Sequence, residues 1–212
     1  MTDRWLPWTA AALATGATAL VMGAMSLPTS SGGAGLLRTV EAQPDQWLMA
    51  AAAFLYAAFA LTVGIPTFFH LLHHRPRIAV LGSALLAFGT IGMAGYAALL
   101  ILFRAMVLHA PITTVELAAV SDDLGLRGFV GAFVVAFGLG LLVLGLALLL
   151  TRVVARWMAV LLVAYPIGMP FADALPDWAR TAQVLMLGAA LIGVALSANA
   201  AWAARPRLQA LR

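Results

Sequence analysis

Seven of the eight carboxylic acids in this chain fall in three polar stretches between long apolar runs. Glu41 and Asp45 lie in the first stretch, Glu116, Asp122 and Asp123 in the second, and Asp173 and Asp177 in the third. Carboxyl groups gathered at the mouth of an apolar cavity repel one another and lose hydration, and both effects raise a pKa. A carboxyl kept protonated beside a hydrophobic cavity is a general acid. On this reading Glu41, Asp122, Asp123 and Asp173 are the candidate catalytic acids. Phe54, Tyr56, Tyr96, Phe103, Phe129, Phe133 and Phe171 can line such a cavity, and aromatic faces stabilise positive charge. The combination suits acid-initiated chemistry on an apolar isoprenoid, such as cyclisation through carbocations. The plainer reading makes the acids solvated loop ends and the aromatics ordinary packing.

The second stretch, Arg104 to Arg127, is the longest polar interruption in the chain. Arg104 sits one turn inside the end of an apolar run. A charge at the bilayer centre costs about 2.5–3.5 kcal/mol and less near the interface. Arg104 is therefore expected to pair with Glu116, Asp122 or Asp123, or to reach outward. An ion pair tying the loop to the bundle competes with a second role, orienting a carboxylate or a phosphate-bearing head. Arg104, His109 and Glu116, with Tyr96, Phe103 and Phe171, are the candidate substrate-binding residues. Thr113 and Glu116 have the spacing of a capping box. That predicts a short helix from Thr114 to Leu124, ended by Gly125, with Glu116 and Asp123 on one face.

Other chemistries leave no trace. Cysteine is absent, which removes disulfides, thiolate metal sites and a cysteine nucleophile. There is no phosphate-binding glycine loop, His-Glu-x-x-His or Gly-x-Ser-x-Gly. His70, His73 and His74 stand close together beside Arg75 and Arg77. A haem held by two of them would need a histidine at matching depth, and His109 falls at the opposite membrane face. The preferred reading is that these cations complement a helix C-terminus and an anionic lipid surface. No metal and no cofactor are expected.

The elements that must hold these residues are membrane helices. The chain is 64% hydrophobic and 9% charged, where a soluble domain carries about 25% charged residues. Crossing a bilayer takes about 20 helical residues. Six runs qualify: Trp8–Leu27, Trp47–Leu72, Ile78–Phe103, Gly128–Leu150, Trp157–Ala174 and Thr181–Ala203. The first is too long for a secretory leader and no Ala-x-Ala site follows it, so a retained helix is expected. The reading is all-α: one domain over residues 1–212, a polytopic integral membrane bundle of six transmembrane helices. A short interfacial helix is expected at residues 34–42, after the breaker that begins at Pro28.

All 12 basic residues are arginines. Eight of them (Arg4, Arg75, Arg77, Arg152, Arg156, Arg205, Arg207, Arg212) fall on one side of that topology. The positive-inside rule makes that side, and both termini, cytoplasmic. The net charge of +4 thus reflects orientation, and nucleic acid is not an expected partner. The arginine-only, alanine- and leucine-rich composition suggests a GC-rich bacterial source and a bacterial plasma membrane.

Gly64-Ile65-Pro66 predicts a kink in the second span, and Pro166 with Pro170 predicts a bent or unwound outer half of the fifth. Small residues three or seven apart, such as Gly82, Gly89, Gly92 and Gly95, predict close helix packing in a compact bundle. From Gln43 to Ala98 the chain runs Gln-Pro-Asp-Gln-Trp, an apolar helix with Gly-Ile-Pro, His-Leu-Leu-His-His-Arg-Pro-Arg, then a glycine-rich helix. This resembles a broad group of six-helix actinobacterial membrane proteins of unknown function. The resemblance covers about a quarter of the chain and implies a fold, with no activity.

The function expected is that of a membrane enzyme acting on a hydrophobic isoprenoid or lipid by general acid catalysis. A small-molecule or lipid transporter and a non-catalytic accessory subunit are the alternatives. The polar groups in helix interiors are Thr15, Thr18, Thr62, Ser83, Thr90, Ser197 and Asn199, plus tyrosines. With no carboxylate at mid-depth, ion-coupled transport is disfavoured. The expected partners are the bilayer, a hydrophobic small molecule and, as a further option, a second copy of the chain in a homo-oligomer.

Overall fold

The computed structural model describes residues 3–27, 32–110 and 113–209. The regular structure there is helical: α1 (Leu6–Ser26), α2 (Gly32–Ala42), α3 (Pro44–Gly64), α4 (Pro66–Leu71), α5 (Pro76–His109), α6 (Thr114–Ser121), α7 (Leu124–Thr151), α8 (Arg156–Gly168) and α9 (Asp177–Gln209). The breaker at Pro28 lies outside the described residues. Pro44, Pro66 and Pro76 are the first residues of α3, α4 and α5. At that position a missing N–H matters little and the fixed φ suits the helix. Pro66 also ends α3, because its ring crowds the turn before it. α7 ends at Arg152, whose φ of 54° is left-handed and whose N–H bonds the Leu148 carbonyl at 3.0 Å.

Six apolar elements close into a ring. α1 packs on α3, α3 on α5, α5 on α7, α7 on α8, α8 on α9, and α9 returns to α1. Glycines set the antiparallel register. A Cβ at Gly64 would lie 2.8 Å from Leu13 Cα, and one at Gly16 would lie 2.8 Å from the Leu61 nitrogen. Between α5 and α7, a Cβ at Gly89 would stand 2.5 Å from Phe137 Cα, and one at Gly140 would stand 2.6 Å from the Leu86 nitrogen. Without side chains at these points the backbones touch, which is how helices gain dispersion energy in lipid.

This register gathers the exposed Arg4, Arg75, Arg77, Arg152 and Arg156 at one end, and α2 and α6 with their acids at the other. The arginine end is solid. α4 fills it against α1, α5 and α9, and Phe68, Leu13, Leu61, Leu144 and Leu191 are fully buried. Hydroxyls stitch the helices together: Thr62 to Thr90 at 2.8 Å, Thr67 to Thr9 at 3.2 Å and Tyr56 to Thr15 at 3.3 Å. Such bonds between membrane helices contribute about 0.6 kcal/mol each.

Five helical segments are long and apolar enough to cross a membrane: α1, α3 with α4, α5, α7 and most of α9. α8 is a shorter apolar helix. Large apolar side chains such as Phe59, Ile91, Leu150 and Leu196 point out of the bundle, and the six tryptophans stand near helix ends, where membrane interfaces hold them. The protein is a multi-pass membrane protein.

Several boundaries differ from the sequence reading. α5 runs six residues past Phe103, which keeps Arg104 and His109 on the helix. Counted from Pro76 at about 1.5 Å per residue, Arg104 stands roughly 42 Å along the axis, beyond a hydrocarbon core of about 30 Å. α6 stops at Ser121, three residues short of Leu124, because α7 begins there. Beyond Gly168, α8 tightens into a 3-10 helix, Met169–Ala174.

Candidate functional site

The acid-end half of the ring is hollow. A cavity of about 280 Å³ lies between α1, α3, α5, α7 and α8. Leu20, Phe54, Tyr96, Phe133, Phe137 and Tyr165 are among its walls, and glycines on α5 (Gly92, Gly95) widen it. The aromatic rings form two groups. Phe54 meets Tyr96 edge-on at 5.5 Å. Phe133 stacks on Phe88 at 4.6 Å and meets Phe129 edge-on at 4.8 Å. Such pairs hold their rings in place, so the walls are pre-formed. Near the low end of small-molecule site volumes, the cavity takes a small apolar ligand or the end of a longer one.

Of the expected aromatic lining, Phe54, Tyr96, Phe129 and Phe133 take that position. Tyr56 faces outward toward Thr15. Phe103 packs on Trp47, centroids 5.7 Å apart. Phe171 is 63% exposed on the surface.

The candidate acids are not brought together around the cavity. Glu41 is exposed at the end of α2. Glu116 closes a capping box: its Oε2 accepts from the Thr113 N–H at 2.8 Å and from the Thr113 hydroxyl at 2.9 Å. The Glu116 N–H donates to Thr113 Oγ1 at 3.3 Å. The expectation of a raised pKa is reversed here. The Thr113 N–H and then its hydroxyl hold the Glu116 carboxyl below the usual range. Asp123 lies off the face of Glu116: it caps the next helix, α7, accepting from the Leu126 N–H at 2.7 Å. Asp122 pairs with Arg127 at 2.6 Å. The side chains of Asp173 and Asp177 lie outside the described residues.

Arg104 does not pair with α6, contrary to expectation. Its Nε–H donates to the Pro44 carbonyl at 2.8 Å, and its Nη2 stands 3.9 Å from Asp45. The reason is the added length of α5, which brings Arg104 level with the start of α3. Trp47 is buried just below, and its Nε1 has no hydrogen-bond partner. His109 is exposed at the end of α5.

The chain matches no family model, no curated protein and no solved structure. What the cavity does is therefore argued from its geometry alone.

At the arginine end, His73 Nδ1 lies 3.0 Å from the His70 carbonyl, and the His73 and His74 rings are 3.6 Å apart. Among the described residues no group of three histidines and acids is placed to hold a metal.

Sequence reasoning missed Phe137, Tyr165 and Met169 in the cavity wall, and Gln183 behind it. Gln183 Nε2 on α9 donates to the Tyr165 carbonyl at 3.0 Å. A lone glutamine between apolar residues in the last span was the available signal. A Cβ at Gly168 would come 2.6 Å from that nitrogen, so this glycine makes room for the bond.

Proposed function

We propose that this chain spans the membrane six times with both termini cytoplasmic, and that its central cavity holds the apolar part of an isoprenoid or other lipid. The observation that carries the reading is the aromatic-walled cavity in the acid-end half of a ring whose other half is solid. The arginines at the solid end favour that end as the cytoplasmic one. The cavity then opens toward the outer leaflet of what the composition suggests is a bacterial plasma membrane.

Gly95 provides the test. A Cβ there meets nothing within 4 Å, so Gly95→Leu fills the cavity without a clash in the packed ring. Lipid extracted from the purified protein is identified and quantified by mass spectrometry. The wild type is expected to retain a discrete hydrophobic species at near one per chain, and Gly95→Leu to retain at least tenfold less with normal expression. Equal retention in both sinks the reading.

The aromatic lining favours a second reading, catalysis on the bound isoprenoid through a carboxylic acid. Among the described residues no acid lines the cavity, which leaves Asp173, four residues beyond the lining residue Met169, as its best candidate. Asp173→Asn that converts the retained species as the wild type does removes this reading and leaves the binding reading intact.

A further inference from the structure

The inference that follows rests on the cavity being a ligand site. The wall between α7 and α9 is built differently from the rest of the ring. Pro166 and Pro170 stand four apart in α8 and its 3-10 extension. Each removes a backbone donor, so two carbonyls one turn earlier lose their helical partners. This break in the helix has a groove on each side. One, of about 380 Å³, runs between α7 and α8 past Val134, Gly138, Leu142 and Pro166. The other, of about 280 Å³, runs between α8 and α9 past Gly168, Trp178 and Gln183. Val134 and Met169 belong to the first groove and to the central cavity alike, and Tyr165 belongs to the second and to the cavity. The cavity thus adjoins the first groove at Met169, on the 3-10 extension, and the second at Tyr165 of α8. Met169 is unbranched and adaptable. The Tyr165 carbonyl accepts two hydrogen bonds, one from the Met169 N–H along the helix and one from Gln183 Nε2 at 3.0 Å, and the second is its tie to α9.

We propose that the α7–α8 groove and the central cavity are two halves of one site for a hydrocarbon chain of a bilayer lipid, which passes sideways beneath the broken end of α8. The cavity is too small to enclose a whole lipid, and the groove supplies the continuation. Both are apolar and both lie within the span, where the adjoining phase is lipid rather than water. The occupant is therefore a chain of a molecule already in the bilayer, with its head at the acid-bearing surface. The Gln183–Tyr165 bond and the space at Gly168 form the latch that lets α8 swing.

The natural chain has no cysteine, so an introduced pair is unique. A Cβ at Gly138 would lie 3.4 Å from Pro166 Cβ, close to the separation of about 3.5–4.5 Å in disulfides. Gly138→Cys with Pro166→Cys, in the full chain, is placed in phosphatidylcholine vesicles carrying a diazirine on one acyl chain. Photolabelling of Tyr96, Phe133 and Phe137 is read by mass spectrometry. The reduced protein is expected to label at these residues, and the oxidised protein at least tenfold less. Equal labelling in the two states overturns the proposal while leaving the cavity reading in place. No cavity labelling in the reduced variant or in the wild type overturns both. Gln183→Leu, which keeps the prolines, is expected to load several-fold faster than wild type, and an unchanged rate also counts against the proposal. Labelling by a diazirine alkane supplied from water, with none from the phospholipid, overturns the assignment of the occupant.

Discussion

Arg104 donates its Nε–H to the carbonyl oxygen of Pro44 at 2.8 Å, across 60 residues of chain. The bond joins the far end of α5 to the first residue of α3, beside the packed pair of Trp47 and Phe103. It fixes the acid-bearing rim of the ring at the point where α2 turns into α3.

Two partners share the guanidinium, and magnitudes separate them. A hydrogen bond from a charged donor contributes about 1.5–3 kcal/mol, whereas an exposed ion pair contributes about 0–1 kcal/mol. Asp45 is 92% exposed and 3.9 Å away. Arg104→Ala is therefore expected to lower unfolding stability in detergent by about 1.5–3 kcal/mol, and Asp45→Asn by less than about 1 kcal/mol. Thermal or denaturant melts of both variants decide it. An Asp45→Asn loss as large as that of Arg104→Ala reverses the assignment.

The α5–α7 contact predicts a sharp contrast between glycines. A methyl at Gly89 would enter the backbone of Phe137, while one at Gly128 meets nothing within 4 Å. Gly89→Ala is expected to cost about 1–3 kcal/mol as overpacking. Gly128→Ala is expected to be neutral or stabilising by up to about 1 kcal/mol, through helix propensity. Melting in matched detergent is the measurement, and equal effects would contradict the register.

Glu116 gives the pH dependence of the surface helix α6. Its carboxyl is held below the usual value by Thr113, so the folded loop favours the ionised form. The capping box is fully present above the ordinary glutamate pKa of about 4.3 and is lost as pH falls through the depressed folded value. Amide exchange in α6 is expected to speed up on acidification across that window while the spans stay protected. Thr113→Val should move the Glu116 titration, followed by carboxyl-carbon NMR, upward. An unchanged titration would show that the box does not form in solution.

What could be read from the sequence follows from the range of each interaction. The break at Pro66 and the box between Thr113 and Glu116 are local, and backbone chemistry within four residues determines both. Asp123 was harder to read. Ser121-Asp122-Asp123-Leu124-Gly125 has the pattern of a helix running on to a glycine stop, yet the chain reverses two residues earlier and Asp123 starts α7. The partner of Arg104 was out of reach, because it depends on how far α5 extends and on which residue of α3 stands level with it. The acids looked like a group because they share one end of the bundle. Caps and a local ion pair then draw Glu116, Asp122 and Asp123 to neighbours within five residues, which leaves the apolar cavity without them.

The closed ring also sets an order of assembly. α1 is made well before α9, yet α9 is one of its two flanking neighbours in the ring. Until α9 arrives, the face of α1 around Ala17 and Val21 has only lipid against it. The closing contact is tight: a Cβ at Gly188 would lie 2.4 Å from Val21. During synthesis the nascent bundle is an open horseshoe, and α9 is its keystone. A chain stalled before that helix would present its hollow to the membrane along a whole missing side, and quality-control proteases could recognise that gap.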